Sequence, residues 1–148
     1  GGVACGGNDT MIGNRISLIT LGVRDLGQSV AYYKAVGFEP ETIMEKVAFF
    51  DLGGIKFGLY LRDDLAHEQG RAPNECGVGF SSLAQNYPSE AEVDAAVERA
   101  RAAGATLLKA PEKMFWGGYS GYVADPDGHA WEYSFNPFWP LDEAGRIA

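Results

Sequence analysis

The sequence is short of the residues and patterns on which several classes of protein depend. It has only two cysteines and two histidines in 148 residues, and the cysteines do not form a CxxC pair. Two lone thiols argue against a disulfide scaffold and are typical of a reducing compartment. No apolar run approaches the roughly 18 to 20 residues that a membrane-spanning helix needs. No basic segment followed by an apolar stretch opens the chain, so we expect a cytoplasmic protein without a secretory signal.

Basic residues are also scarce. Twelve Lys and Arg against twenty Asp and Glu give a net charge of -8, and the basic residues form no cluster. Nucleic acid is therefore not expected as a partner, whereas a cationic or neutral small molecule is favoured.

What the sequence does have is an ordinary globular balance, with 46% hydrophobic and 22% charged residues. Its eight Phe, seven Tyr and three Trp are enough for a core and a lined pocket.

The first half of the chain has the pattern strand, helix and three strands. Residues 1–14 are Gly-rich and are interpreted as a flexible tail, with Met11 as the natural start and the preceding residues as an expression remnant. Asp25 is a candidate N-cap for a helix that Gly37 ends. The predicted strands span residues 16–23, 38–44, 47–51 and 55–61, and a polar connector follows from residue 62.

The second half repeats this order. A strand is predicted over residues 77–84, and Ser89 with Glu92 forms a capping box before a helix. The helix has an apolar face of Val93, Ala96, Val97 and Ala100 and ends at Gly104. Strands are predicted over residues 105–109, 119–124 and 130–135, the last two joined by a tight turn at residues 125–128.

The repeat predicts an α+β fold of two βαβββ modules that form a cup-shaped mixed sheet with helices outside. The first module and its connector span residues 15–70, after the tail at 1–14. The second module and the C-terminal tail span residues 71–148. Units this small cannot each bury a sheet face alone, so we expect the two modules to share a core and form one domain.

Two stretches of the sequence resemble a known superfamily. Residues 16–38, ISLITLGVRDLGQSVAYYKAVGF, are similar to the opening of vicinal oxygen chelate proteins. These include glyoxalase I, bleomycin-resistance proteins and extradiol dioxygenases. Residues 123–137, VADPDGHAWEYSFNP, are similar to their closing hairpin, and the likeness covers nearly all of residues 15–137. The resemblance implies two βαβββ modules arranged as a cup.

The resemblance also implies four positions at which metal-using members bind a divalent ion. They correspond to Leu18, Gly58, Phe80 and Glu132, and only Glu132 carries a side chain that can bind a metal. Of the two histidines, His67 lies in the polar connector, and His129 has the opposite strand parity to Glu132. We therefore expect neither a metal nor another cofactor.

Strand alternation predicts which side chains line the cup. Glu132 is the candidate catalytic acid or base, because a carboxylate among apolar residues must be protonated, hydrogen-bonded or bound to a ligand. A glycine-rich aromatic segment at residues 115–122 could stack on a flat ligand, or its rings could be ordinary core residues. Glu132 could equally be satisfied by Tyr60, Ser82 or Ser134. The candidate ligand-binding residues are Leu18, Thr20, Gly58, Tyr60, Phe80, Ser82, Trp116, Tyr119, Tyr122, Glu132 and Ser134, and alternation adds Ile16, Lys56, Val78 and Ala130 to the inward face.

Three functions remain open. The first is a metal-independent binding protein of the bleomycin-resistance type that captures a small organic molecule, aromatic or not. The second is a metal-independent lyase or isomerase that uses Glu132 as a general acid or base, and the third, a metal-dependent glyoxalase or dioxygenase, is disfavoured by the missing ligands. Because each module has sheet edges and apolar flanks to cover, we also expect a homodimer and no membrane partner.

Overall fold

The structure, a computed structural model, describes residues 13–148. The tail expected at residues 1–14 therefore lies, up to residue 12, outside the described residues. No helix in the part described is long and apolar enough to cross a membrane. The elements, in chain order, are β1 (Leu18–Val23), α1 (Leu26–Ala35), β2 (Thr42–Ile43), β3 (Val47–Asp51), β4 (Lys56–Leu61), α2 (Arg62–Glu68), a 3-10 turn (Pro73–Glu75), β5 (Ser82–Asn86), α3 (Glu90–Ala102), β6 (Thr106–Lys113), β7 (Tyr119–Ala124) and β8 (Ala130–Phe135).

These elements form two open four-stranded mixed sheets. The strand order is β1-β4-β3-β2 in the first sheet and β5-β8-β7-β6 in the second. In each sheet the first and last strands of the module pair in parallel and the remaining neighbours are antiparallel. The α+β class with two βαβββ modules, predicted from the sequence, is confirmed.

The helix boundaries follow from local capping. The Asp25 side chain accepts a hydrogen bond from the backbone N–H of Gln28 at the start of α1, and Ser89 accepts from Glu92 in the same way at α3. Both bonds satisfy N–H groups that a helix start leaves without an intrahelical partner. Gly37 follows α1 with a φ of 111°, a left-handed conformation that glycine adopts without strain.

Several boundaries differ from the sequence prediction, and the strand expected over residues 38–44 is reduced to β2 (Thr42–Ile43). The strand expected over residues 77–84 begins only at Ser82, because Gly79 takes a φ of 106° that interrupts an extended strand. The expected connector contains α2, which has acidic residues in its first turn and His67 in its last, an arrangement that complements the helix dipole. Strand β6 continues to Lys113 through two register shifts, whereas a strand over 105–109 was expected.

The helix-facing sides of the two sheets share one hydrophobic core. The Tyr33 ring of α1 lies 5.1 Å from Phe57 of the first sheet and 5.9 Å from Trp131 of the second, measured between ring centroids. Phe57 and Trp131 are themselves 5.9 Å apart. Trp131 and Tyr133 are both buried in this core, as alternation predicted. The opposite side of each sheet, which we call its open face, therefore points away from the shared core.

A buried polar network joins the modules next to this core. Asp125, which is 3% exposed, accepts a 2.6 Å hydrogen bond from the Tyr33 hydroxyl and two more from the backbone N–H groups of Asp127 and His129. The Trp131 indole N–H donates to the Tyr33 oxygen at 3.0 Å. A ring nitrogen of His129 lies 2.7 Å from the Gly22 carbonyl oxygen. The network fixes the β7–β8 hairpin, which carries Glu132, against the first module.

Candidate functional site

The open face of the second sheet carries the polar side chains of the candidate site. The register of the sheet places Lys109 opposite Tyr122, Tyr122 opposite Glu132, and Glu132 opposite Ala84. These four residues form one row across strands β6, β7, β8 and β5. Ser120 and Ser134, which pair with each other in the next row, are 2% and 5% exposed.

Glu132 lies in the middle of this face. Its side chain is half-buried on this face. Its neighbours in the row are the methyl group of Ala84 and the phenol of Tyr122. Among the described residues the Glu132 carboxylate forms no ion pair. A ligand could therefore reach it from the Ala84 side.

Tyr122 lies between two opposite charges. Partial burial raises the pKa of the Tyr122 hydroxyl, the negative charge of Glu132 raises this pKa further, and the positive charge of Lys109 opposes the rise. The hydroxyl is therefore a hydrogen-bond donor at neutral pH, directly beside a carboxylate acceptor.

Trp116 packs against its own turn. It lies in the turn between β6 and β7, and its ring packs against Gly118, where any side chain would overlap the ring. A Cβ at Gly117 would lie 3.3 Å from the Phe138 ring, so this second aromatic packs on the same turn. Two consecutive glycines thus let the turn hold aromatic rings at close range.

The open face of the first sheet has different chemistry. A cleft of about 570 Å³ on this face is lined by Leu18, Met44, Phe49 and the Lys56–Glu41 ion pair, among others. Thr20 and Gly58 pair in the adjacent row, and a Cβ at Gly58 would lie 3.3 Å from both the Thr20 hydroxyl and the Phe49 ring. The cleft combines apolar walls with a cation that is already paired.

Several candidate residues lie elsewhere than expected. Tyr119 is not on the open face: it points to the helix side, where its hydroxyl donates to Asp94 of α3 at 2.7 Å, and this bond raises its pKa to about 12. Phe80 lies two residues before β5 and is fully exposed, so the register position equivalent to Leu18 is occupied by Ser82. Tyr60 stays on the first sheet, where its hydroxyl donates to Glu68 at 3.1 Å.

Two further residues that were predicted to face inward lie outside their strands. Ile16 and Val78 were expected inside the cup, but both precede their strands and are 63% and 50% exposed. The candidate residues that do lie on open faces, although on two separate sheets, are Leu18, Thr20, Gly58, Tyr60, Ser82, Tyr122, Glu132 and Ser134.

Sequence reasoning missed Lys109. The residue was expected at the end of a short strand. Because β6 has two register shifts, simple alternation does not predict the face to which Lys109 points. The sequence held no signal for it, because residues three apart in a regular strand point to opposite faces, and Lys109 reaches Glu112 at 3.2 Å only across the register shift that lies between them.

The side chains at the four expected metal positions do not fit a divalent-metal site. Leu18, Gly58 and Ser82, the last in place of Phe80, offer no imidazole or carboxylate beside Glu132. In the described part of the chain no three His, Cys, Asp or Glu side chains converge closely enough to hold a metal ion. The His129 ring is engaged with the Gly22 carbonyl group at the junction of the modules.

Comparison with known proteins identifies the class of protein to which this duplicated βαβββ architecture belongs. The model of the Glyoxalase/Bleomycin resistance protein/Dioxygenase superfamily matches residues 15–133, so the chain belongs to this superfamily. It is 32% identical over 121 residues to a metallothiol transferase FosB from Shouchella clausii, covering 80% of this chain and 78% of the relative.

Solved structures agree with this assignment. A glyoxalase-related enzyme from Fulvimarina pelagi is 36% identical, with a TM-score of 0.84 over 91% of this chain and 97% of that protein. A glyoxalase/bleomycin resistance protein/dioxygenase family enzyme from Burkholderia phytofirmans is 25% identical, with a TM-score of 0.69 over 80% and 96% of the two chains.

Proposed function

We propose that this chain is a cytoplasmic binding protein of the glyoxalase and bleomycin-resistance type that captures a small organic molecule on the open face of its second sheet. The observation that carries the proposal is the Glu132 carboxylate, half-buried beside Tyr122 without an ionic partner among the described residues. A carboxylate in this setting favours a ligand with an ammonium or hydroxyl group. The Tyr122 ring beside the carboxylate favours a ligand with a flat apolar part.

We propose further that binding needs no metal. The Shouchella clausii relative is named a metallothiol transferase, but Leu18, Gly58 and Ser82 of this chain supply no comparable donor set. Ligand recognition then depends on hydrogen bonds, charge and stacking alone. Elemental analysis should find no stoichiometric transition metal in the purified protein, and about one Zn, Ni, Fe or Mn ion per chain would contradict this.

A metal-independent lyase or isomerase is the second candidate. The observation that favours it is the pairing of a carboxylate with a protonated phenol on neighbouring strands. Glu132 could take a proton from a carbon next to a carbonyl group while Tyr122 donates a hydrogen bond to the carbonyl oxygen. Incubating the bound molecule with protein and following it by NMR separates the two functions, because a binding protein returns it unchanged.

The test of the binding site is a paired titration. Biphenyl-methylamine serves as a flat cationic probe, and Glu132→Gln removes the charge while keeping the shape of the side chain. A hydrogen bond to a charged group contributes about 1.5 to 3 kcal/mol, so the affinity should fall roughly 10- to 150-fold. The control is Glu98→Gln on α3, which removes the same charge from an exposed pair with Arg101 and should leave the affinity unchanged.

Stability provides the second readout of this experiment. Glu132→Gln should leave the free energy of unfolding within about 0.5 kcal/mol of the parent, because the carboxylate holds no ion pair in the described structure. Equal affinities in the two variants, or a collapse of stability in Glu132→Gln alone, would refute the proposed site.

We propose, in addition, that the chain forms a homodimer. Leu18 and Met44 on the first open face are 45% and 50% exposed, and Phe80 and Phe115 are almost fully exposed. Exposed apolar surface of this kind is typical of interaction sites, and a second copy could cover it and complete a cup over the open faces. Light scattering at micromolar concentration should give twice the chain mass of 15.9 kDa, and a monomer would contradict the proposal.

A further inference from the structure

The row that contains Glu132 also contains a cation. Lys109 of β6 pairs with Tyr122 of β7, which pairs with Glu132 of β8. Neighbouring strands lie about 4.8 Å apart, so the backbones of Lys109 and Glu132 are roughly 10 Å apart with the phenol between them. The open face thus presents a positive group, a flat ring and a negative group in a line.

Both charges are available to a ligand. Within residues 13–148, Lys109 forms an ion pair only with Glu112, at 3.2 Å, and the two side chains are 52% and 55% exposed. Such exposed ion pairs contribute little, so a ligand anion can displace Glu112 from the ammonium group. At the other end of the row, Ala84 leaves space beside Glu132.

The electrostatics of Tyr122 agree with this geometry. Glu132 raises the pKa of the Tyr122 hydroxyl and Lys109 lowers it, so both charges act on the same phenol from opposite sides. A ligand lying along the row would contact all three side chains at once.

We propose that Lys109 is a second anchoring residue and that the site selects dipolar molecules. The cationic end binds Glu132, the anionic end binds Lys109, and a flat middle lies over Tyr122. This inference rests on the proposed function, since it takes the same open face as the binding site. It adds the class of ligand, a zwitterion with widely separated charges, and a residue that determines this specificity.

The test uses three related probes and calorimetric titration of the full chain. One is an aminomethyl-biphenyl carboxylate, whose charges lie at opposite ends of a rigid aromatic rod. The others are biphenyl-methylamine and biphenyl carboxylate, each with one charge. Lys109→Gln should weaken binding of the dipolar probe by about tenfold, the scale of one charge-assisted contact, while leaving the amine probe unchanged.

The matched control is Lys113→Gln. Lys113 lies on the same strand but points to the other side, where it pairs with Glu90 of α3 at 3.0 Å. Equal binding of the dipolar probe to Lys109→Gln and Lys113→Gln would overturn the inference, as would a parent protein that binds the dipolar probe no tighter than the amine. The proposed function is tested separately, because Glu132→Gln with the amine probe reports on Glu132 without any contribution from an anionic group that Lys109 could bind.

Discussion

The two neighbouring tyrosines of α1 allow a sharp test of the core. Tyr33 and Tyr32 are 1% and 3% exposed, yet only the Tyr33 hydroxyl has hydrogen-bond partners in the described structure. Replacing each by Phe removes one buried oxygen and little else. We predict opposite outcomes for Tyr33→Phe and Tyr32→Phe.

The magnitude for Tyr33→Phe follows from its two partners. The variant loses a hydrogen bond to the Asp125 carboxylate, worth about 1.5 to 3 kcal/mol, and leaves the Trp131 indole N–H without an acceptor, which costs about 1 to 3 kcal/mol. The two effects overlap, so we expect a loss of about 3 to 5 kcal/mol. At about 2 to 4 °C per kcal/mol for a chain of this size, the melting temperature should fall by roughly 6 to 20 °C.

Tyr32→Phe is the matched control. Its hydroxyl is buried without a partner in the part of the chain that the structure describes, so removing it should leave stability unchanged or raise it by up to about 1 kcal/mol. Urea unfolding followed by circular dichroism measures both variants. A loss below 1 kcal/mol in Tyr33→Phe, or an equal loss in both variants, would refute the assignment of the network between the modules.

Three further predictions concern the pH dependence of stability, the packing of the Trp116 ring on Gly118, and metal removal. Burial raises the pKa of Tyr133 to about 12 from 10.0. The contribution of this residue to stability should therefore be fully present below about pH 10 and be lost between about pH 10 and 12, where the unfolded chain loses this proton first. A urea midpoint that does not fall across this range would contradict the assignment. Gly118→Ala should displace the Trp116 ring and change its fluorescence, whereas Gly77→Ala, where a Cβ would meet nothing within 4 Å, should not; identical spectra would disprove the packing. Treatment with EDTA should leave the melting temperature unchanged, and a drop of several degrees would indicate a structural metal.

Local sequence signals predicted the fold well. Asp25 and Ser89 are N-caps whose side chains act within one turn, so the helix starts could be read directly. Strands β3, β7 and β8 have the predicted boundaries because regular alternation and a tight turn define them. Signals of this kind need no knowledge of distant contacts.

The candidate site was less predictable, because it depends on register. Phe80 was assigned to a strand by its spacing, but the positive φ of Gly79 delays β5 until Ser82. Two irregularities in β6 obscured the face of Lys109. Tyr119 lies three residues from Tyr122 in a regular strand, so alternation itself places it on the opposite face, where its hydroxyl donates to Asp94 of α3. A one-residue shift moves a side chain to the opposite face, so these errors change the site without changing the fold.

The position of the ligand is the central claim, and NMR chemical-shift mapping tests it directly. Biphenyl-methylamine is titrated into uniformly labelled full-length protein, and the backbone amide signals are followed. We expect the largest shifts on β7 and β8 around Tyr122 and Glu132. Glu132→Gln should raise the probe concentration needed to produce them roughly 10- to 150-fold, whereas Glu98→Gln should not change it. Shifts confined to the first-sheet cleft around Leu18 and Phe49, or no shift on β7 and β8 at millimolar probe, would contradict the claim.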